Sequence, residues 1–320
     1  MKPEVSIIIP CYNAAPWLEA CIASTRAQGV DSMELIIIDD GSTDGSLKIV
    51  KSMADDNLHL YSQSNRGASS ARNRGLAVSR GRYIQYLDAD DQLGKYKILH
   101  QLHRLREAEP GSVATCPWVR FDNKPLAPSF HHQKNFQSLS PLEFLQVNWE
   151  QDIMMHPAAW LIPRSVAEQA GPWDESLTLN DDGEYFCRVV LESSGLVYTP
   201  DAASYYRSNL SSSLSGRKDP DSLLSLHSSI EKMEALMLEH DHSPRTEHAC
   251  ACARQRLAYS IFLQHPELAA QCETRAQQMA HGPLPEPGGR ITQVFAQFTG
   301  WRTALQIQRQ YHRLLEAVTG

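Results

Sequence analysis

Two acidic segments of the sequence have residue types and spacing that could do chemistry. "DADD", residues 88–91, follows the apolar run "YIQYL", and "IIIDDGSTDG" places three aspartates after another apolar run. In an extended segment, residues two apart point the same way, so Asp88 and Asp90 are predicted to form a carboxylate pair. Such a pair is an oxygen-rich site for Mg²⁺ or Mn²⁺, completed by substrate phosphates. The structural alternative is a solvated turn, since aspartate is common in turns.

The elements that would position these carboxylates form an alternating pattern. Near-continuous Ile, Val and Leu runs separated by helical segments are typical of a parallel sheet covered on both faces. We therefore predict the α/β class with right-handed crossovers. The predicted strands are 5–9, 35–38, 58–61, 83–87, 112–119 and the segment "HPAAWLIP", and the predicted helices of the first hundred residues are 16–28, 45–54 and 68–79.

The predicted sheet brings three polar segments together. In open α/β sheets, ligands bind outside the carboxyl ends of the strands. "PCYNA" follows the first predicted strand, "DDGSTDG" the second and "DADD" the fourth. We therefore expect these segments to converge on one crevice.

Composition and motifs exclude several classes of protein. The chain has 320 residues, of which 42% are hydrophobic and 21% charged, as is typical of a globular protein. Its net charge of -7, with acids and bases interspersed, predicts no nucleic-acid partner. The sequence contains neither the glycine-rich dinucleotide fingerprint nor the phosphate-binding G-x-x-x-x-G-K-[ST] loop.

Cysteine usage and hydropathy bear on localisation. The seven cysteines are scattered without metal-ligand spacing, which predicts reduced, buried thiols. No signal peptide is recognisable, and no run approaches the roughly 20 apolar residues needed to span a bilayer. We therefore expect a cytoplasmic protein.

Six segments, in order, resemble the inverting glycosyltransferases of family 2, which have the GT-A fold. The resemblance implies a mostly parallel, Rossmann-like sheet flanked by helices, a nucleotide-sugar donor, a divalent metal (Mn²⁺ or Mg²⁺) and an acceptor hydroxyl. The segments, which cover about residues 4–210, are "VSIIIPCYNAAPWLEACIAS", "ELIIIDDGSTDGS", "NRGASSARNRGL", "GRYIQYLDADD", "GPWDESL" and "NDDGEYFCRVV".

The resemblance implies roles for residues on the nucleoside side of the donor. Pro10, Tyr12 and Asn13 match positions that hold the nucleoside. Asp40 matches a position that hydrogen-bonds the base, commonly uracil, while Asp39 is expected to orient the loop.

A second group is implied around the diphosphate. Arg72 matches a basic residue near the base and phosphates, with a surface arginine on a helix as the alternative. Asp88 matches the ribose and metal side of the site, Ala89 lies within the nucleotide-sugar site, and Asp90 matches the direct metal ligand.

The chain departs from the family near the diphosphate. Many relatives carry a histidine a few residues after "YYR", where this chain has Asn209, so the third protein contact to the metal is open. His156 is a candidate residue on the acceptor side, although a lone histidine is more often structural.

"NDDGEYF" matches the acidic motif that carries the catalytic base in the family. Alignment through Arg188 places Asp182 at the base, with Asp181 as the second candidate. An inverting transfer is a single in-line displacement, so it needs one base for the acceptor proton and a metal for the leaving diphosphate. The alternative is that both aspartates only cap the following helix.

We expect the chain to have two parts. Residues 1–215 are predicted to form the GT-A domain, with a nucleotide-binding half at 1–110 and an acceptor half at 111–215. A helical region, 216–320, follows, with a Pro/Gly-rich linker at 281–289.

The C-terminal segment "GWRTALQIQRQYHRLLEAV" predicts an amphipathic helix, with apolar residues at three- and four-residue steps and arginines on the other side. The helix either packs on the catalytic domain or lies on the inner membrane surface, where it would bring the site to a lipid-linked acceptor. The apolar residues are Ala304, Ile307, Tyr311, Leu314 and Val318, and the arginines are Arg302, Arg309 and Arg313.

These observations together predict an enzyme of the hexosyltransferase class. It would move a sugar, with inversion and metal dependence, from a nucleotide-sugar donor to a glycan or lipid-linked acceptor in bacterial surface polysaccharide or glycan synthesis. The Asp40 position favours UDP as the nucleotide. The alternative is a non-catalytic module of the same fold that binds a nucleotide sugar or a glycan.

Overall fold

A computed structural model of the chain describes three segments. They are residues 2–122, 133–208 and 217–319, with residue 290 and residues 312–319 described for the backbone alone. The chain divides into two compact units, Met1–Arg217 and Lys218–Gly320.

The first unit contains short strands that alternate with helices. The strands are β1 (Val5–Cys11), β2 (Met33–Asp39), β3 (Leu58–Ser62), β4 (Tyr83–Tyr86), β5 (Gln92–Leu93), β6 (Val113–Thr115), β7 (Trp118–Phe121), β8 (Ile162–Pro163), β9 (Leu196–Tyr198) and β10 (Ser204–Arg207). The helices are α1 (Ala15–Arg26), α2 (Ser46–Ser52), α3 (Ala68–Val78), α4 (Lys97–Glu107), α5 (Pro141–Gln151), α6 (Arg164–Gln169) and α7 (Asp181–Leu191).

The central sheet has five strands in the order β3-β2-β1-β4-β8. The first four are parallel, and only β8, at one edge, is antiparallel to its neighbour β4. Two smaller sheets accompany it, in the orders β5-β10-β7 and β6-β9. The prediction of an α/β fold with a mostly parallel sheet is confirmed.

Alternation along β1 explains why helices cover both faces of this sheet. Ile7 and Ile9 point to one face, where they share a buried core with Leu18 and Ile22 of α1. Ile8 points to the other face, against α3. A strand that is apolar on both faces needs a helix on each face of the sheet, as its continuous hydrophobic run predicts.

The middle of the unit differs from the sequence prediction. The segment 112–119 is not one strand: β6 and β7 are separated by Pro117 and belong to different sheets. Proline lacks the N–H that a continuing ladder needs. "HPAAWLIP" is also not one strand, since Pro157–Ala159 form a 3₁₀ turn before the two-residue strand β8.

The second unit is helical. Its helices are α8 (Pro220–His240), α9 (Pro244–Ile261), α10 (Pro266–Met279), α11 (Arg290–Thr299) and α12 (Trp301–Thr319). The first three begin at proline, whose fixed φ suits the first helical position. Residues 280–289 form neither helix nor strand.

The sequence also predicts reduced, buried cysteines and no membrane-spanning segment. All seven cysteines are free and buried, as expected for reduced thiols. Of the helices in the described segments, none has the length and apolar content needed to cross a lipid bilayer.

Gly75 sets how closely α3 approaches the central sheet. A Cβ at this position would lie 2.3 Å from Cγ2 of Ile8. We expect Gly75→Ala to destabilise the protein by about 1–3 kcal/mol, because overpacking outweighs the better helix propensity of alanine. Denaturant unfolding measures this. Gly195→Ala is the matched control, since its nearest contact would be an ordinary 3.7 Å; equal stability of the two variants would contradict the close approach.

Candidate active site

The candidate site lies at the carboxyl ends of the parallel strands of the central sheet. The amide of Asp40, just after β2, donates to the carbonyl of Cys11 at the end of β1 (2.8 Å). The amide of Leu87, just after β4, donates to the carbonyl of Ile8 (3.0 Å). The chain segments after β1, β2 and β4 therefore leave the sheet side by side.

Arg72 is the centre of the site. Its guanidinium donates to Asp88 Oδ1 (2.7 Å) and to Asp181 Oδ2 (2.9 Å), and its side chain is only 6% exposed. Burial opposes a charge on Arg72, but Asp88 and Asp181 more than offset this, so its pKa is raised. The surface-arginine alternative is wrong, because Arg72 lies beneath the crevice. It joins Asp88 of the segment 88–91, called the metal motif after the ligand that the sequence predicts for it, to Asp181 of the acidic motif "NDDGEYF".

Trp173, from "GPWDESL", holds Arg72 in place. The Arg72 guanidinium lies 4.4 Å from the centroid of the indole ring, and the indole stacks on Tyr185 at 4.1 Å. Asn73 fixes the backbone of Trp173 through two hydrogen bonds, one to its carbonyl (2.9 Å) and one from its amide (2.7 Å). Residues about 100 positions apart thus form one rigid support.

Asp181 and Asp182 start α7, yet their carboxylates have different surroundings. Asp181 Oδ2 accepts from Ser69 Oγ (2.7 Å) as well as from Arg72, so this carboxylate is fixed towards α3. Asp182 Oδ1 accepts from the amide of Gly183 (2.8 Å). Capping does not account for Asp181, because its carboxylate is used across the site rather than at the helix end.

The pKa of Asp182 is raised towards neutral pH. Burial, and then the neighbouring charge of Asp181, raise the pKa of Asp182 to about 7, although Arg72 opposes the shift. A carboxylate that titrates near neutral pH is both sufficiently ionised and sufficiently basic to accept a proton. The physical surroundings therefore distinguish Asp182 from Asp181.

The metal motif presents an incompletely neutralised group of carboxylates. Burial, with the charges of Asp91 and Asp88, raises the pKa of Asp90 to about 7. In the described segments, the Asp90 side chain has no hydrogen-bond donor other than its own amide. A cation would relieve this repulsion, so Asp88 and Asp90 fit a hard divalent metal.

The described residues offer the metal only a partial site. They contain no cluster of three or more His, Cys, Asp or Glu side chains arranged to hold a metal ion. Mg²⁺ commonly uses one or two carboxylates and takes its other ligands from water and substrate phosphates, so the pair does not exclude it. Asn209, where relatives have histidine, lies outside the described residues.

A buried network behind the metal motif was not recognised in the sequence. Asp91 Oδ2 contacts His156 Nδ1 (3.0 Å), and His156 Nε2 contacts Ser204 Oγ (2.8 Å). Burial lowers the pKa of His156 to about 3 and raises that of Asp91. With an exposure of 1%, His156 does not reach an acceptor and is structural.

Arg207 ties the same motif to β10. Its amide donates to Asp91 Oδ1 (2.7 Å), and its side-chain Nε donates to the carbonyl of Asp90 (2.9 Å). The sequence predicted no role for Arg207 of "YYR". Local spacing does not link this residue to Asp91, which lies 116 positions earlier.

Asp40 organises the loop that precedes α3. Its Oδ1 accepts from Gln63 Nε2 (2.8 Å) and from the amide of Arg66 (2.9 Å), and its Oδ2 accepts from the amide of Gly67 (2.8 Å). A carboxylate has about four acceptor positions, and these hydrogen bonds fill three of them, one of which is on Oδ2. Asp40 itself is 3% exposed. Asp39 Oδ1 accepts from the Ser42 amide (3.2 Å), which agrees with its expected role in orienting the loop.

The segment after β1 is pinned to the loop after β2. Asn13 has a left-handed φ of 49°, and its side-chain oxygen accepts from the amide of Thr43 (2.8 Å). Pro10 lies within β1 rather than after it. Tyr12 projects from the strand end with 52% of its surface exposed, whereas Ala89 is 7% exposed and lines the interior side of the motif.

Comparison with known proteins gives the family. The model of glycosyl transferase family 2 matches residues 6–171. The uncharacterized glycosyltransferase RP339 of Rickettsia prowazekii is 31% identical over 199 residues, which are 60% of each chain. TuaG of Bacillus subtilis, named as a teichuronic acid biosynthesis glycosyltransferase, is 40% identical over 109 residues, 33% of this chain and 43% of TuaG. The chain thus matches about 60% or less of the length of these curated relatives.

A solved structure shows the same fold. S. aureus TarS 1–349, determined in complex with UDP-GlcNAc, superposes with a TM-score of 0.62 at 15% identity, covering 97% of this chain and 92% of that one. The mostly parallel sheet with flanking helices is therefore of the GT-A type. Because the family model spans more than half of the sequence, the chain belongs to glycosyl transferase family 2.

Proposed function

We propose that the chain is an inverting, metal-dependent glycosyltransferase that moves a sugar from a nucleotide-sugar donor to an acceptor hydroxyl. The observation that carries the proposal is the arrangement around Arg72. This residue holds Asp88, from the metal motif, and Asp181 in one crevice, while the adjacent Asp182 has a pKa of about 7. Membership of family 2 and the fold shared with TarS support it.

The proposed reaction is one displacement at the anomeric carbon. The acceptor oxygen forms a bond to that carbon as the bond to the diphosphate oxygen breaks, and the nucleoside diphosphate leaves. Asp182 accepts the proton of the acceptor hydroxyl. Asp181, already bound to Ser69 and Arg72, keeps the first turn of α7 in position.

Asp90 and Asp88 are proposed to hold Mn²⁺ or Mg²⁺. When bound, the metal would neutralise charge that develops on the leaving diphosphate. Arg72 fixes the Asp88 carboxylate, and Arg207 fixes the backbone at Asp90, so these two groups are held in place before a donor arrives.

The donor is proposed to be linked to UDP. The remaining acceptor position on Asp40 Oδ2 suits one N–H donor, such as the ring N–H of uracil. Tyr12, Asn13 and Pro10 are proposed to form the rest of the nucleoside site. The UDP-GlcNAc complex of TarS supports this choice.

The acceptor is proposed to be a glycan or a lipid-linked glycan in bacterial surface polysaccharide synthesis. The name of TuaG, which refers to teichuronic acid biosynthesis, supports this class. A lipid-linked acceptor would bring the cytoplasmic enzyme to the inner face of the cell membrane.

The first experiment separates an enzyme from a non-catalytic module that binds the same ligands. The protein is incubated with a panel of nucleotide sugars and Mn²⁺, and release of the nucleoside diphosphate is measured. We expect turnover with at least one UDP-sugar, and proton NMR of a transferred product should show an inverted anomeric configuration. Donor binding with no turnover for any acceptor or donor would favour the module.

Asp182→Asn should lower turnover by about 100- to 10,000-fold, the usual contribution of a general base. UDP binding, measured by calorimetry, should be unchanged because the base faces the acceptor. Asp181→Asn is the isosteric comparison and should alter the structural tie to Arg72 instead. Near-normal turnover of Asp182→Asn with an inactive Asp181→Asn would move the base by one residue.

The pH dependence follows from the same group. Asp182 acts when deprotonated, so at saturating metal kcat/KM should decline below pH about 7 and level off above it. Saturating metal keeps the Asp90 carboxylate ionised, which leaves Asp182 as the titrating residue. The pH range from 5 to 8 brackets the pKa of about 7. A kcat/KM that does not change over this range would contradict the assignment.

Asp90→Ala should remove metal-dependent donor binding and abolish transfer, as should EDTA with the unaltered protein. Mn²⁺ titration in the presence of UDP measures the loss. Asp56→Ala is the control, because Asp56 is an exposed acid. Full activity of either Asp90→Ala or the chelated enzyme would rule out the metal assignment.

Arg72→Lys should lower kcat by about 100-fold, because a lysine cannot hold two carboxylates in the planar geometry of a guanidinium and small displacements are costly in catalysis. Arg74→Lys, on the same helix but bound to the Ser62 carbonyl at the surface, should be near normal. The unfolding midpoint of each variant is measured first, to confirm that both are folded. The two variants are then compared by steady-state kinetics. Similar kcat values would show that the bridge does not position the site.

A further inference from the structure

Helix α11 in the second unit presents a continuous apolar face to solvent. Four large apolar side chains recur at steps of three, four and seven residues, which places them on one side of a helix. They are Ile291, Val294, Phe295 and Phe298, with exposed fractions of 77%, 55%, 48% and 84%. Single exposed apolar residues are ordinary, but a contiguous face of this kind marks an interaction surface.

The orientation of α11 is the reverse of that of an ordinary surface helix. Among the α11 side chains that the structure describes, Thr292 is the buried one, at 7% exposure, and Ala296, one turn later, is half-buried. Small residues therefore face the unit while the large apolar ones face away. A helix that only covered a core would turn its large side chains inward.

The surrounding sequence has the opposite charge to the rest of the chain. Between Glu286 and Glu316 there are four arginines and no acidic residue, whereas the net charge of the whole chain is -7. One of the four, Arg302, is paired with Glu273 and lies 4.5 Å over the ring of Trp301. The sequence between the two glutamates therefore carries a net positive charge.

Charge selects the occupant of this face. A second copy of the chain would bring two arginine-bearing, acid-free segments together, and like charges repel. An anionic lipid surface would provide an apolar environment for the exposed side chains and negatively charged headgroups for the arginines. With 10 residues, α11 is shorter than the roughly 20 needed to span a bilayer, so it would lie in the plane of the surface.

We propose that α11 docks on an anionic lipid bilayer, with Ile291, Val294, Phe295 and Phe298 inserted at the headgroup boundary. This adds a second surface to the membrane contact expected for α12. On that helix Ala304 is 2% exposed, whereas Ile307 and Tyr311 are 42% and 59% exposed. Trp301 and Leu305 pack against the core of the unit. The side chains of Leu314 and Val318 lie outside the described residues. Docking does not depend on the sugar-transfer reaction.

Vesicle sedimentation of the full chain tests the proposal. Vesicles of phosphatidylcholine with phosphatidylglycerol should bind the protein at low salt, and vesicles of phosphatidylcholine alone should bind it markedly less. The double variant Ile291→Ser with Phe298→Ser should bind about tenfold more weakly or worse. It lacks the free energy gained when two large apolar side chains move from water into the bilayer.

The matched control keeps the charge and the number of substitutions. Gln297→Ser with Gln306→Ser replaces two exposed polar residues and should bind like the unaltered chain. Light scattering of all three proteins should give the same mass. Equal binding to neutral and anionic vesicles, no binding at all, or a drop in mass specific to the Ile291/Phe298 variant would overturn the proposal, the last in favour of self-association.

Discussion

The repulsion among carboxylates in one crevice is the constraint on which the site depends. Asp88, Asp181 and Asp182 lie around Arg72, and coulombic energies grow steeply as water is excluded. A guanidinium suits this position because it stays charged when buried and can donate to two carboxylates in one plane. Without it, the segment after β4 and the start of α7 would repel one another.

Much of the surrounding architecture serves to fix that guanidinium. Asp40 binds the amide of Gly67, the residue immediately before α3, and Gly75 lets the helix approach β1 closely. Trp173 covers the guanidinium from the other side. Helix and strand positions hold catalytic groups more rigidly than loops do, and α3 uses both ends of its length for this purpose.

Arg72 does not neutralise all of the carboxylates in the crevice, and two of them, Asp182 and Asp90, have raised pKa values. Asp181 accepts hydrogen bonds from Ser69 and Arg72, whereas burial and neighbouring charge raise the pKa values of Asp182 and Asp90 to about 7. Asp182 lies in the first turn of α7, and Asp90 lies in the segment after β4. The same electrostatic imbalance therefore supports both parts of the proposal, a base at Asp182 and a cation at Asp90.

The sequence by itself determined the α/β class, the first four strands and the segments that meet at the sheet edge, because hydrophobic periodicity is a local property of the chain. It also singled out Asp88, Asp181 and Asp182, which the structure places around Arg72. Only the tertiary structure decided that Arg72 is a buried bridge, that His156 supports Asp91, and that α11 turns its large side chains outward. Each of these depends on contacts between residues far apart in the chain, or on which side of a helix is covered, and no local pattern contains that information.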